Sequence, residues 1–235
     1  MQNPQSQLTQ LNVGGLTPLT SIDYPGELAA VVFCQGCPWR CRYCQNGHLL
    51  PSGQAAGIDW AGVIDFLYKR RGLLDAVVFS GGEPTLQRAL PQAIRQVKQL
   101  GFKVGLHTAG CYPERLKLVL PLVDWVGMDI KALPAQYPSI TRTAGSGERA
   151  WESLDAIQAS GVDYEVRTTR MPGTPDALIL ALSKILGERG VEHYALQACR
   201  TRETLDPGLK NIMYAPPGAQ LVDDLQRQFP GLVLR

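Results

Sequence analysis

Apolar residues in this chain fall into short continuous runs separated by stretches with the period of a helix. Leu28 to Cys34 (LAAVVFC) is a run of the buried-strand type, and Asp75 to Ser80, Phe102 to His107, Trp125 to Ile130, Tyr164 to Thr169 and Val191 to Ala198 repeat it. Between the runs lie helical patterns. Trp60, Val63, Ile64 and Leu67 stand at i, i+3, i+4 and i+7, and Leu90, Ala93, Ile94 and Val97 do the same, stopped by Gly101. A third helix is predicted from Pro113 with Leu116, Val119 and Leu120, and a fourth over Arg149 to Ala159, ending at Gly161. The fifth has Thr174 as N-cap, Pro175 at its first position, an apolar face of Leu178, Leu182, Ile185 and Leu186, and Gly187 as stop. Lys131 to Gly147, rich in Pro, Gly, Ser and Thr, reads as a long loop, Arg200 to Pro217 as irregular, and Gln220 to Gln228 as a last amphipathic segment.

Strands alternating with helices indicate βαβ units and a parallel sheet, hence an α/β protein. Six units suit either a doubly wound sheet or an incomplete barrel, and periodicity does not choose between them. Both architectures put ligand chemistry at the carboxyl ends of the strands. No repeat, low-complexity tract or linker divides the chain, so one domain over 1–235 is expected, with a loop at 34–57 and a C-terminal extension at 200–235.

Composition narrows the function. The 235 residues are 45% hydrophobic, which suits a packed globular core rather than a disordered chain. Lys+Arg 23 against Asp+Glu 21 leaves a net charge of +2, which gives no electrostatic case for nucleic acid or an acidic membrane as partner. No apolar run approaches the roughly 18 residues of a membrane span, and Met1 to Leu16 lacks the basic and apolar regions of a signal peptide. A cytoplasmic location is expected. Six cysteines are then the odd feature, because a reducing compartment gives them no disulfide role.

Four of the six lie in one stretch, Cys34-Gln-Gly-Cys37-Pro-Trp-Arg-Cys41-Arg-Tyr-Cys44. Such density points to metal, and three arrangements compete. A structural zinc site commonly uses two separated Cys pairs, and no second pair follows here. A closed iron–sulfur site would take all four thiolates, although the spacing differs from the usual bacterial ferredoxin run. The third arrangement uses only Cys37, Cys41 and Cys44 and leaves one coordination position open, as a catalytic metal requires and a structural one avoids. Cys34, at the end of an apolar run, reads as a small buried hydrophobe.

C-x3-C-x2-C with Tyr43 before the last Cys resembles the signature of the radical SAM enzymes. Gly81-Gly82-Glu83-Pro84, directly after the second run, resembles that family's GGEP motif, where glycines allow close backbone approach and Glu83 can accept from an ammonium. Either motif alone is weak; in this order they are specific. The resemblance implies a partial (β/α)6 TIM-like barrel with parallel strands, one [4Fe-4S] cluster on Cys37, Cys41 and Cys44, and S-adenosyl-L-methionine on the open iron. One electron would cleave it to methionine and a 5′-deoxyadenosyl radical, the cofactors carrying the chemistry. Positions 45 to 80 hold no Cys, so no further cluster is expected.

Within that family the chain is most similar to the activating enzymes of glycyl radical proteins, those of anaerobic ribonucleoside-triphosphate reductase in particular. Thr17 to Gly26, Phe33 to Cys37 and Cys44 to Asn46 resemble their lead-in and exit, Met128-Asp-Ile-Lys131 their D-x-K segment, Arg167 to Gly173 their R-x4-P-G segment, and Tyr194 to Arg200 the reductase activators' Y-x-L-Q-x-x-R ending. By that resemblance Tyr43, Gly81, Gly82, Glu83, Pro84, His107, Asp129, Lys131, Arg167 and Gln197 line the cofactor pocket, while Arg170 reads as a solvated or partner-facing charge. The implied partners are a glycyl radical enzyme and a low-potential donor such as a flavodoxin or ferredoxin. Related activators carry Asp after the third strand where this chain has His107, which puts a monovalent cation there in doubt. Cys111 and Cys199 sit on the expected rim and read as packing residues. The alternatives are an activator of the formate-lyase type, a small-molecule radical enzyme such as a queuosine-pathway synthase, or a non-catalytic iron–sulfur or zinc module.

Overall fold

The computed structural model describes residues 10–52, 57–202, 204–210 and 212–235; positions 53–56 of the expected cluster loop lie outside the described residues. Eight strands make one sheet in chain order: β1 (Val13–Thr20), β2 (Ala29–Cys34), β3 (Ala76–Gly81), β4 (Lys103–Thr108), β5 (Trp125–Asp129), β6 (Asp163–Arg170), β7 (Tyr194–Ala198) and β8 (Val233–Leu234). Only β1 runs antiparallel to its neighbour; every later pair is parallel. The order starts at β1 and stops at β8, so the sheet is open. Helices fill the crossovers: α1 (Trp60–Tyr68), α2 (Leu90–Gln99), α3 (Pro113–Val119), α4 (Tyr137–Thr141), α5 (Ser146–Ser160), α6 (Asp176–Glu188) and α7 (Ala219–Gln228). None of these is long and apolar enough to cross a membrane.

The continuous apolar runs follow from burial on both sides of the sheet. Side chains alternate along a strand, and the register sorts them. Val32, Phe79, Leu106 and Val126 lie on one row, facing the helices in the main core. Ala29, Val31, Ala76, Val78 and Trp125 face the other way and gather under Tyr24 in a second cluster. Residues of β2 meet one of β5 there, across two intervening strands, so this face is concave. Asp129 pairs with Arg167, His107 with Gly127 and Thr169 with Gln197, which puts all these polar residues on the concave face.

Several sequence expectations are corrected. β1 contains two glycines and Pro18, which an edge strand tolerates because one side of its ladder stays unpaired. β8 was likewise unread, being two residues long. The long loop contains α4, and α5 starts at Ser146. In α6, Pro175 caps without a side-chain hydrogen bond, Gly187 lies inside the helix, and the buried stripe is Ile179, Leu182, Ser183 and Leu186 while Leu178 is 40% exposed. Arg170 is not solvated: it is buried on the helix side, donating to Asp176 at 2.8 Å and to the Ala215 carbonyl at 2.6 Å.

Candidate active site

The cysteine loop leaves β2 at Cys34, which is wholly buried in the core, its thiol pushed up by burial and then by Glu83. One bond within the loop and two other segments pin it. Gly36 donates to Leu49 O at 2.6 Å, Arg40 and Arg42 donate to Thr141 O and Ile140 O, and Leu205 and Asp206 donate to Cys44 O and Arg42 O. Asp206 also takes the Arg42 guanidinium at 2.6 Å. Trp39, fully buried, lies edge-on to Tyr137 at 6.0 Å, and its Nε1 is buried with no hydrogen-bond partner among the described residues. The loop therefore depends on contacts with α4 and with the segment before α7, both distant in sequence.

Cys37, Cys41 and Cys44 are partly buried thiols whose charges influence one another. Burial pushes Cys41 up to about 12 and raises Cys44, and Lys131 opposes that in each. Cys37 goes the other way, lowered chiefly by a hydrogen bond from Cys111. Burial disfavours the Lys131 ammonium, but Asp129, at 3.0 Å, with Tyr43 and Cys41 outweighs it and holds Lys131 well above its ordinary value. The same ammonium lies 5.4 Å from the centre of the Tyr43 ring. Among the described residues no three His, Cys, Asp or Glu side chains converge as a single ion would need. A multi-iron cluster makes a different demand, since its ligands meet separate irons. Three anionic thiolates with a buried cation beside them have the donor chemistry for such a group.

The Gly81–Pro84 turn abuts this loop. Gly82 donates to Cys34 O and Glu83 to Gly36 O, both at 2.9 Å. A Cβ on Gly82 would stand 2.2 Å from Gly36 O, and one on Gly81, at φ +108°, 2.5 Å from Cys34 N. The two glycines thus admit the chain's own cysteine loop, where the motif had suggested approach to a ligand. Glu83 is completely buried and accepts from Thr85 N, Thr85 Oγ1, Thr108 Oγ1 and Ala109 N at 2.6 to 3.1 Å. Three of these donors converge on Oε1 and one, Ala109 N, reaches Oε2, and together they tie the turn to the end of β4. Pro84 opens a short 3-10 turn, Pro84–Leu86, behind it.

Deeper on the concave face, Arg167 turns away from the thiols. Its Nε donates to Glu165 at 2.8 Å, Nη1 lies 3.0 Å from His107 Nε2, and its guanidinium covers Trp125 at 5.1 Å, leaving Nη2 buried with no hydrogen-bond partner among the described residues. Arg235 closes a fork on the same Glu165 at 3.1 and 3.2 Å. His107 Nε2 also lies 2.8 Å from Asp23 O. A guanidinium only donates and a carbonyl only accepts, so this nitrogen satisfies one contact at a time. Burial first, then Arg167, hold His107 well below its ordinary value, and the ring is neutral. A fixed positive charge already stands beside it, where a cation had been in doubt. Gly127 makes the crossing possible: a Cβ there would meet Arg167 Cζ at 2.8 Å and His107 Cδ2 at 3.0 Å.

Of the residues expected from sequence, Tyr43, Asp129 and Lys131 come together beside the cysteine loop, with Gly81 to Pro84 against its other side. Gln197 stands apart on β7, 3.4 Å from Thr169 Oγ1, and His107 and Arg167 form the floor. Sequence reasoning missed Glu165 and Gly127, which are ordinary strand residues until the register is known, and the link from Cys111 to Cys37.

This chain belongs to the radical SAM superfamily, which it matches over residues 31–184. Among relatives, a protein of Methanocaldococcus jannaschii named as a glycyl-radical enzyme activating enzyme is 31% identical, covering 85% of each chain. The pyruvate formate-lyase-activating enzyme of Clostridium pasteurianum is 30% identical over 66% of this chain and 67% of its own. In fold, SuiB of Streptococcus suis, solved with its precursor peptide SuiA, superposes with TM-score 0.67 at 12% identity, covering 87% of this chain. This chain spans about half of SuiB, 48% of its length. The protein is therefore an enzyme, and the cofactors of its family are a [4Fe-4S] cluster and S-adenosylmethionine.

Proposed function

We propose that this enzyme activates a glycyl radical enzyme, with anaerobic ribonucleoside-triphosphate reductase as the particular partner and a flavodoxin or ferredoxin as electron source. The observation that carries the reading is the backbone seam between the cysteine loop and the Gly81–Pro84 turn, with the Asp129–Lys131 pair beside the thiols. Relatedness to proteins named as activating enzymes, over 85% of this chain for one and 66% for the other, supports the class. The partner rests on the Tyr194 to Arg200 segment.

In this reading Cys37, Cys41 and Cys44 hold the cluster, one thiolate fewer than a closed site takes. When bound, the two cofactors supply reductive cleavage of a sulfonium and hence hydrogen abstraction from a glycine Cα. Lys131 offsets thiolate charge at low dielectric, where a buried cation counts most. Asp129, 38% exposed at its side chain against 5% for Lys131, keeps a face free for the amino end of the methionine moiety. Tyr43 and the Gly81–Pro84 backbone complete the pocket near the thiols, and Gln197, further along the concave face on β7, is assigned to the far end of the cofactor. Arg167 and His107 form its floor, excluding water.

Anaerobic reconstitution, reduction and addition of S-adenosylmethionine test the class: 5′-deoxyadenosine is expected, and its absence overturns the reading. A glycyl radical signal in an added reductase, and none in an added formate lyase, is the expected partner outcome; the reverse overturns the assignment to the reductase.

A further inference from the structure

One edge of the cysteine loop collects cations from three parts of the chain. Within the loop, Trp39 is buried and Tyr43 lies against Lys131, whereas Arg40 is exposed and Arg42 reaches out to Asp206. The Arg40 N–H donates to Thr141 O, which brings the exposed Arg142 alongside, its guanidinium 3.8 Å from the same Asp206. The Leu205 and Asp206 N–H groups donate to Cys44 O and Arg42 O, and Gln45 Nε2 donates to Arg200 O at 3.2 Å. These bonds lay residues 200–210, with the exposed Arg200, Arg202 and Lys210, along the same edge. In sequence the stretches 38–46, 140–143 and 199–210 hold six cations against two acids, Glu203 and Asp206, a surplus of four in a chain whose net charge is only +2. The Asp206 carboxylate is already met by Arg42, Arg142 and the Gly208 N–H. The positive charge of the molecule is thus concentrated where the cysteine loop meets solvent.

We infer that this basic edge is the docking surface for an acidic one-electron carrier protein, an inference that rests on the proposed function for its ligand set, Cys37, Cys41 and Cys44. The carrier gives up one electron and the cluster gains it, and no bond in this chain forms or breaks. Charges of opposite sign on two faces steer their encounter and raise association rates by tenfold to a thousandfold at low salt. A carrier seated here stands against the loop that holds the ligands, with no helix or strand between. The glycine of an activated partner has to reach the concave face instead, on the side of the loop where Tyr43 meets Lys131. The two proteins therefore use different sides of one loop.

The test drives the reconstituted holoenzyme in parallel with a reduced, acidic flavodoxin and with excess dithionite, and counts 5′-deoxyadenosine at low and high salt. In the triple variant Arg40→Glu, Arg202→Glu and Lys210→Glu, the flavodoxin-driven rate at low salt is expected to fall at least about tenfold and to lose the parent's decline with salt. The dithionite-driven rate and the iron content are expected to match the parent. Arg40→Lys with Arg202→Lys keeps the charge and is expected within about twofold of the parent in both assays. An unchanged flavodoxin-driven rate in the triple variant overturns the inference. So does an equal loss with dithionite, which would assign these charges to the cluster's own surroundings. A loss of glycyl radical under dithionite, with 5′-deoxyadenosine intact, overturns it by giving the edge to the activated partner. Absence of 5′-deoxyadenosine from the parent under dithionite brings down the proposed function itself, a failure read before any variant is compared.

Discussion

Two regions of the concave face carry buried cations, and they are built in opposite ways. On the floor, Arg167 and Arg235 share one carboxylate, Glu165, and Arg167 covers an indole ring. Two guanidinium groups there meet one carboxylate, and the titratable base beside them, His107, is held well below its ordinary value by burial and then by Arg167. Beside the cysteine loop, Lys131 is paired with a partly exposed carboxylate, Asp129, and lowers Cys41 and Cys44 against the effect of burial. A cation at that end favours thiolates over thiols. The difference lies in access: the floor carboxylate is buried and spent on holding strands together, whereas the rim carboxylate is 38% exposed at its side chain and leaves an edge open to a ligand.

Substitution can break that contrast. The largest effect is expected at the rim: Cys37→Ala, Cys41→Ala or Cys44→Ala should each abolish stable cluster incorporation, read as iron and sulfide per chain, while leaving the far-UV circular dichroism of the bare protein unchanged. Glu83→Ala removes the acceptor for four buried donors and should destabilise the chain by about 3 to 5 kcal/mol in denaturant melts; a change below 1 kcal/mol would mean that the turn is not held by this carboxylate. On the floor, Glu165→Gln leaves two arginines short of a counter-ion and is expected to cost about 3 kcal/mol with cluster content unaffected, the inverse of the cysteine result. The smallest effect concerns His107. Its folded pKa lies below the unfolded value, so the unfolded chain takes up the proton first and stability falls as pH drops through the unfolded value near 6.5, by at most about 1.4 kcal/mol per pH unit. Comparing melts of the parent and His107→Gln between pH 7.5 and pH 5.5 isolates this slope; equal slopes would mean that the ring is protonated in the fold.

How much of this was legible beforehand varied with the kind of residue. Strands β2 to β7 were readable because they are buried on both faces and so become unbroken apolar runs. β1 was not, because its glycines, proline and polar residues suit an edge strand and a loop equally well. The cysteine spacing and the Gly81–Pro84 motif were readable as chemistry, but that the Glu83 carboxylate also takes donors from Thr85, Thr108 and Ala109 depends on where β4 ends. Arg167 was placed in the pocket by the R-x4-P-G resemblance; that it reaches across Gly127 to His107 depends on the register of β4, β5 and β6.

The sequence by itself determined the alternation of strands and helices, the three-cysteine spacing and the order of the motifs, since these are local properties of periodicity, turn chemistry and ligand type. Only the tertiary structure decided which charges are consumed and which remain, because satisfaction of a buried group depends on partners far along the chain. It also separated the six cysteines that composition alone made conspicuous: Cys34, Cys111 and Cys199 are buried, whereas Cys37, Cys41 and Cys44 keep part of their surface open.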